Sequence, residues 1–200
     1  MKAFHIVGPA PLCTNTFLLV TEAGHAMAID PAADAEMYEK ALEETSAKLT
    51  HIFCTHGHYD HVGAVQELKE KWNCKVYLDP ADAQGNRSLP MTQSDSGYVD
   101  GGEIKVDELT FKTWHTPGHT QGSWVILCGD MFFTGDTLFH GSIGRTDLPG
   151  GSMLQMEKSL QKLLKLPIPD NARVLPGHEA FSTMADEKRH NYYLREFMGE

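Results

Sequence analysis

Short apolar runs alternate along the chain with amphipathic stretches, and this alternation predicts a layered α/β fold. The apolar runs predict strands at Ala3–Val7, Thr16–Val20, Ala26–Ile29, Leu49–Cys54, Lys75–Leu78, Leu109–Trp114, Ser123–Leu127, Met131–Thr134 and Ala172–Leu175. Apolar residues at helical spacing predict helices at Ala33–Ser46, Val62–Trp72, Met153–Leu164 and Ala185–Phe197. Residues 79–102 are rich in Pro, Gly, Ser and Asp, which predicts loops with one short helix.

Five of the predicted strands lead directly to histidine or aspartate, usually through a proline or glycine. These polar ends are Asp30, the block from His56 to His61, His119, Asp136 and His178. Loops that a rigid sheet holds in place are where ligands and catalytic groups tend to lie. If the five ends lie together, they supply enough donor atoms for two metal ions.

The segment Thr55-His56-Gly57-His58-Tyr59-Asp60-His61 is the densest of these ends. It places three imidazoles and a carboxylate, the groups that zinc, iron and manganese prefer, within six positions. Taken alone, the segment also fits a polar surface loop that is rich in histidine. The four other strand ends favour a metal site over that interpretation.

Composition narrows the classes of function. The 200 residues fit one domain, with 41% hydrophobic and 22% charged residues. The net charge of −10 argues against a nucleic-acid surface but leaves small-molecule substrates open. No apolar run approaches the roughly 20 residues of a membrane span, so no membrane partner is expected.

The cysteines bear on the cellular compartment. Cys13, Cys54, Cys74 and Cys128 are far apart and form no C-x-x-C pair. They are expected to be buried free thiols, as in a reducing cytosol. The N-terminus lacks the apolar stretch of a secretory signal. A cytoplasmic location is therefore expected.

The motifs resemble those of the metallo-β-lactamase superfamily and, within it, the glyoxalase II branch (hydroxyacylglutathione hydrolases). They are Ile-Asp-Pro at Asp30, H-x-H-x-D-H at 56–61, Thr-Pro-Gly-His at His119, Thr-Gly-Asp at Asp136 and Pro-Gly-His-Glu at His178. The resemblance implies a four-layer αββα sandwich, two mixed β-sheets flanked by helices, in one domain over residues 1–200.

The resemblance also implies a role for each motif residue. It assigns His56, His58 and His119 to a first metal, Asp60, His61 and His178 to a second, Asp136 to both, and Asp30 to orienting a ligand histidine. Asp60 and Asp136 are the catalytic carboxylates in this interpretation. The cofactors are two divalent metal ions; zinc is expected first, with iron and manganese as alternatives.

The implied reaction is hydrolysis of a small-molecule thioester such as S-lactoylglutathione. Two divalent ions roughly 3.5–4 Å apart can share a hydroxide and polarise a carbonyl oxygen. Attack by this bridging hydroxide needs no covalent enzyme intermediate. A thioester suits it because the thiolate leaves readily.

The resemblance is weaker for glutathione recognition. Only 22 residues follow His178, so the chain is expected to resemble the short bacterial form, which lacks the C-terminal helical domain of the longer glyoxalase II enzymes. Arg145 stands where those enzymes have a basic residue that binds glutathione, while Asp147 and Ala180 stand where tyrosines are expected. Arg145 and Tyr59 are the expected substrate contacts; a salt bridge for Arg145 and a packing role for Tyr59 are the alternatives.

Three other functions remain open. Persulfide dioxygenases use one iron held by the equivalents of His56, His119 and Asp136, and residues 144–147 resemble theirs. Residues 135–139 and 148–151 resemble the hydrolases more. Hydrolysis of other esters or lactones is the second alternative, and a non-catalytic metal-binding module is the third. The sequence leaves the oligomeric state undetermined.

Overall fold

The computed structural model describes residues 1–198 and contains eleven strands and five helices. The strands are β1 (Lys2–Val7), β2 (Asn15–Val20), β3 (His25–Ile29), β4 (Lys48–Phe53), β5 (Lys75–Tyr77), β6 (Gly102–Val106), β7 (Leu109–His115), β8 (Trp124–Cys128), β9 (Met131–Gly135), β10 (Arg173–Pro176) and β11 (Ser182–Thr183). The helices are α1 (Ala35–Thr45), α2 (Val65–Trp72), α3 (Met153–Leu163), α4 (Met184–His190) and α5 (Tyr192–Met198). None of the helices within residues 1–198 is long and apolar enough to cross a membrane.

The strands form two mixed sheets. The first has the order β1-β2-β3-β4-β5, with β1, β2 and β3 antiparallel and β3, β4 and β5 parallel. The second has the order β11-β10-β9-β8-β7-β6 and is antiparallel except where β9 pairs with β10. The C-terminal ends of β3 and β4 therefore lie on the same side of the first sheet, and those of β7, β9 and β10 lie on the same side of the second.

Apolar side chains fill three layers between the elements. The middle layer joins the two sheets, with Phe17 and Phe53 from the first sheet against Phe111 and Phe133 from the second. Alternate residues of the first sheet pack on α1 and α2 in an outer layer. The second sheet is covered in the same way by α3 and α5. The predicted four-layer αββα sandwich is therefore confirmed.

The structure differs from the sequence prediction mainly at the C-terminus. The single helix predicted over Ala185–Phe197 is wrong, because two helices meet at Asn191. Asn191 is fully buried, and its side-chain oxygen accepts the N–H of Tyr193 at the start of α5. Its amide nitrogen donates to the carbonyls of Phe139 and Ser142. These bonds favour an extended Asn191, which ends α4.

All four cysteines are free, and three of them are buried. The prediction that all four cysteines are buried is wrong for Cys13, which is exposed in the loop between β1 and β2. Its backbone is left-handed, with φ 51°. Cys54, Cys74 and Cys128 lie in the interior, where burial raises the pKa of each thiol.

Candidate metal centre

The polar strand ends predicted from the sequence meet at one end of the sandwich. Asp30 follows β3, and the block from His56 to His61 follows β4, both in the first sheet. His119, Asp136 and His178 follow β7, β9 and β10 of the second sheet. The geometry brings seven side chains into three overlapping groups of potential metal donors: His56, His58 and His119; His56, His61 and Asp136; Asp60, His61 and His178.

The first group consists of His56, His58 and His119, and all three side chains are buried. Nδ1 of His58 lies 2.8 Å from Nε2 of His119. The ligand nitrogens of the group lie within 4.8 Å of one another. Three imidazoles that converge in this way offer their lone pairs to one point.

The group of Asp60, His61 and His178, called the second group below, lies beside the first and is slightly more exposed. Nε2 of His178 is 3.3 Å from Oδ2 of Asp60 and 3.4 Å from Nε2 of His61. Asp136 lies between the groups: its Oδ2 is 3.3 Å from Nε2 of His119 and 3.6 Å from Nε2 of His178. A single carboxylate therefore contacts both sets of imidazoles.

Two atoms of this cluster are buried without a hydrogen-bond partner in residues 1–198: Nε2 of His56 and Oδ1 of Asp136. An unpaired buried polar atom costs roughly 1–3 kcal/mol, so native proteins rarely leave one without a function. Both atoms belong to residues of the groups above. Imidazole nitrogens and carboxylate oxygens also match the preferences of zinc, iron and manganese. The residues present therefore fit a metal centre.

The outer nitrogens of three histidines are held by hydrogen bonds, which fixes the ring orientations. Nδ1 of His61 lies 3.1 Å from Oδ2 of Asp30, the residue predicted to orient a ligand. Nδ1 of His119 lies 2.7 Å from the carbonyl oxygen of Arg145, and Nδ1 of His178 lies 3.1 Å from that of Leu12. Neither carbonyl contact was predictable from the sequence, because a main-chain acceptor has no residue type of its own.

The model of the metallo-beta-lactamase superfamily matches residues 10–178, which include every residue of this cluster. The chain belongs to the metallo-β-lactamase superfamily.

Curated relatives within this superfamily match nearly the whole chain. The hydroxyacylglutathione hydrolase GloC of Haemophilus influenzae is 34% identical and covers 90% of this chain and 92% of its own length. The probable metallo-hydrolase YqgX of Bacillus subtilis is 31% identical over 94% of this chain and 95% of its own length. The superfamily relationship is thus accompanied by similar overall length.

Solved structures of the superfamily superpose closely. The BLEG-1 B3 metallo-β-lactamase gives a TM-score of 0.86 at 29% identity, covering 96% of this chain and 99% of its own. ETHE1 from Myxococcus xanthus gives 0.83 at 32% identity, covering 98% and 88%. TTHA1623 in a di-iron-bound form gives 0.79 at 33% identity, covering 96% and 100%. These neighbours carry different names, so they define the fold and not the substrate.

The ionisable groups of this superfamily site have strongly displaced pKa values. Burial and the neighbouring imidazoles lower the pKa of His56 well below its usual range and that of His58 to about 4. Burial also lowers the pKa of His61, but Asp136, Asp30 and Asp60 outweigh it and raise the value to about 9. Burial raises the pKa of Asp60, but His178 and His61 outweigh it and lower the value to about 2. In the metal-free protein a proton on His61 thus neutralises part of the carboxylate charge.

A cleft of about 670 Å³ opens above the cluster. Its apolar wall is formed by Pro11, Leu12, Phe139, Ile143 and Leu148, and its rim includes Tyr59, Arg145 and Glu179. The two predicted substrate contacts therefore both line the cleft. The salt bridge named as the alternative for Arg145 is also present: its guanidinium contacts Asp147 at 2.7 and 2.8 Å.

One buried carboxylate beside the site was not identified from the sequence. Asp82 is 1% exposed and accepts hydrogen bonds from the loops that carry His56, His58 and His119. Burial raises the pKa of Asp82, while its hydrogen bonds with Thr120, Gly57 and Gly122 oppose that shift. The sequence around it, Asp79-Pro80-Ala81-Asp82, indicates only a turn.

Proposed function

We propose that this chain is a metal-dependent thioester hydrolase of the glyoxalase II type, with hydroxyacylglutathiones such as S-lactoylglutathione as substrates. The observation that carries the proposal is the position of Asp136 between two groups of histidines on the floor of an open cleft. The superfamily relationship and the similarity to a hydroxyacylglutathione hydrolase along most of the chain support it.

The proposed metal ligands follow from the donor groups. His56, His58 and His119 would hold one divalent cation, and Asp60, His61 and His178 would hold a second. Asp136, whose Oδ2 faces His119 and His178, would be available to both. When bound, such a pair supplies an acidified water as nucleophile and polarises the carbonyl oxygen of the substrate. Zinc is the first candidate, and the di-iron form of a structural neighbour supports iron as an alternative.

The two proposed catalytic carboxylates act as acceptors. The low pKa of Asp60, about 2, keeps this side chain ionised at neutral pH. It can therefore accept a hydrogen bond from the attacking water and orient the water toward the substrate. Asp136 lies between the imidazoles of His61, His119 and His178. It would therefore fix the distance between the first and second groups of ligands.

The thiolate leaving group needs no general acid from the protein. The C–S bond of the tetrahedral adduct breaks with the electron pair on sulfur, and a thiolate leaves without prior protonation. The products are a carboxylic acid and a thiol, with one water consumed. No side-chain nucleophile is required in this reaction.

The cleft suits a substrate with both apolar and carboxylate parts. Leu12, Phe139 and Ile143 offer an apolar surface for the acyl chain or the thiol carrier. Arg145 lines the cleft and is the proposed partner of a substrate carboxylate, which its guanidinium would bind in a bidentate manner. For this contact the substrate must replace Asp147 as the partner of the guanidinium. The free energy lost in breaking that ion pair is small, because both side chains are exposed.

A persulfide dioxygenase is the second candidate. It would use one iron held by His56, His119 and Asp136, and Nε2 of His119 does lie 3.3 Å from Oδ2 of Asp136. Residues 144–147, which resemble the corresponding segment of those enzymes, line or adjoin the cleft. In that case Asp60, His61 and His178 would have no catalytic metal to bind.

Paired assays on protein of measured metal content separate the candidates. The hydrolase predicts loss of S-D-lactoylglutathione with two metals per chain and no oxygen uptake. Oxygen uptake with glutathione persulfide and one iron per chain would instead establish the dioxygenase. Activity restricted to other thioesters, esters or lactones would retain the hydrolase and exclude the glutathione substrate. Removal of the metal with a chelator should abolish hydrolysis, and its return should restore it.

A further inference from the structure

The carboxylate of Asp82 joins two loops that are far apart in sequence. Oδ2 accepts the backbone N–H of Gly57 at 2.9 Å and the hydroxyl of Thr120 at 2.7 Å. Oδ1 accepts the N–H of Gly122 at 3.0 Å. Asp82 itself ends a single 3₁₀ turn, Pro80–Asp82, which follows β5.

These two loops carry the whole first group of donors. Gly57 lies between His56 and His58, and Thr120 directly follows His119. The hydroxyl of Thr120 donates to Asp82. Oγ of Ser123 lies 2.8 Å from Oγ1 of Thr120. One buried carboxylate thus sets the distance between the loop of the first sheet and the loop of the second.

The close approach of the loops to Asp82 explains two glycines. A Cβ atom at Gly57 would lie 2.7 Å from the carbonyl oxygen of Asp82. A Cβ atom at Gly122 would lie 2.6 Å from Cγ of Asp82. Any side chain at either position would push the carboxylate away from the N–H groups that it accepts.

We propose that Asp82 is a positioning residue for the first group of donors. It binds no metal itself, but it holds His56, His58 and His119 at the spacing that a metal needs. The inference rests on the candidate metal centre alone and holds for any substrate. Hydrogen-bonded groups behind metal ligands typically change metal affinity by about 10- to 100-fold when they are removed.

The second group of donors has its own supports, so the effect of Asp82 should be confined to one position. Asp30 contacts His61 and Thr55, and the carbonyl of Leu12 contacts His178. Neither contact involves Asp82. Loss of Asp82 should therefore weaken one metal and leave the other nearly unchanged.

The test is a metal titration of the full chain, without any substrate. Metal-free wild-type protein and the variant Asp82→Asn are titrated with Zn²⁺ against a chromophoric chelator. Asparagine keeps the size of the side chain but turns one acceptor into a donor. Asp79→Asn is the matched control, since Asp79 precedes the same turn and its carboxylate accepts hydrogen bonds from Ala81 and Trp124.

Two variants of Thr120 test the same proposal with a smaller change, in case Asp82→Asn does not fold. Thr120→Val removes one of the three hydrogen bonds, and Thr120→Ser keeps it. In Asp82→Asn, the dissociation constant of one of the two Zn²⁺ ions should rise by about 10- to 100-fold. The rise should be smaller in Thr120→Val and absent in Thr120→Ser. Asp79→Asn should match the wild type.

A double-variant cycle identifies which metal is affected. The loss caused by Asp82→Asn should be non-additive with His58→Ala and additive with His178→Ala. Equal weakening of both metals, wild-type affinities in Asp82→Asn and Thr120→Val, or coupling to His178 would each overturn the proposal. So would a wild-type protein that binds no metal at these histidines.

Discussion

The carbonyl oxygen of Arg145 lies 2.7 Å from Nδ1 of His119, so Arg145 orients a proposed metal ligand through its main chain. Its side chain points to a different partner, Asp147. The two functions of this residue are therefore separable: a side-chain substitution leaves the carbonyl in place. This separation makes Arg145 a clean probe of substrate binding.

Arg145→Ala should leave the metal content unchanged and weaken the binding of carboxylate-bearing thioesters. We expect KM for S-lactoylglutathione to rise by about tenfold, because a charge-assisted hydrogen-bond pair is lost. A neutral thioester of similar size should show no change in KM. Steady-state kinetics on the two substrates make the comparison. Unchanged KM for both would dismiss Arg145 as the carboxylate anchor.

His58→Ala should abolish hydrolysis while most of the fold remains. His58 contributes a nitrogen 2.8 Å from Nε2 of His119 and is not a member of the apolar core between the sheets. Residual turnover below about one per cent is expected, since even indirect disturbance of a metal ligand costs 10- to 100-fold. Circular dichroism of the metal-free forms should match the wild type. Full turnover in this variant would exclude the two-metal mechanism.

Asp136→Ala should lower metal occupancy in both halves of the centre. Its Oδ2 contacts His119 on one side and His178 on the other, so one substitution removes a donor from each half. The matched control is His178→Ala, which should release only one metal per chain. Elemental analysis after gel filtration measures both. If Asp136→Ala retained two tightly bound metals, Asp136 would not be shared.

The stability of the metal-free protein should pass through a maximum near pH 6.5. The pKa of His61 is about 9 in the folded protein, above its ordinary 6.5. The stability that it contributes is complete below pH 6.5 and disappears as the pH rises through 9. The pKa of His58 is about 4, so the unfolded chain takes up a proton first as the pH falls from 6.5, and stability is lost there too.

Thermal unfolding of chelator-treated protein between pH 4 and pH 10 measures this profile. His61→Gln should remove the part of the alkaline slope that lies between pH 6.5 and 9, because glutamine does not titrate. Titration with Zn²⁺ at pH 7 should in addition release about one proton from His61, since only the neutral imidazole binds a metal. A wild-type melting temperature that rises from pH 6.5 to 9 would contradict the assignment.

Strand positions and the convergence of their ends were predictable because they rest on local patterns. Each of the nine predicted strands overlaps an observed one, since apolar runs of four to six residues favour strands over helices. Asp30 and the block from His56 to His61 come together because they follow β3 and β4, which are parallel neighbours and end on the same side of the first sheet. The burial of Asp82 had no such signal, because it depends on how a turn packs against two distant loops.

The elements that were missed have weaker patterns. Strand β6 was hidden in a stretch rich in Gly and Asp, and it is largely exposed at the edge of its sheet. Strand β11 has only two residues. The break at Asn191 is caused by carbonyls of residues 139 and 142, about fifty positions away. Helix α2 begins at Val65 rather than Val62, because the backbone up to Ala64 is held by the loop after β3, through the carbonyl of Pro31.

The donors of the centre come from both sheets, and this has a consequence for how the protein survives in a cell. A cation that bridges His58 to His119, or His61 to His178, ties one half of the sandwich to the other. Ligand binding to the folded state alone adds about 4 kcal/mol to its stability at a thousandfold excess over Kd. Starvation for metal would then act as a destabilising mutation does: it would lower the amount of folded protein as well as the rate of turnover.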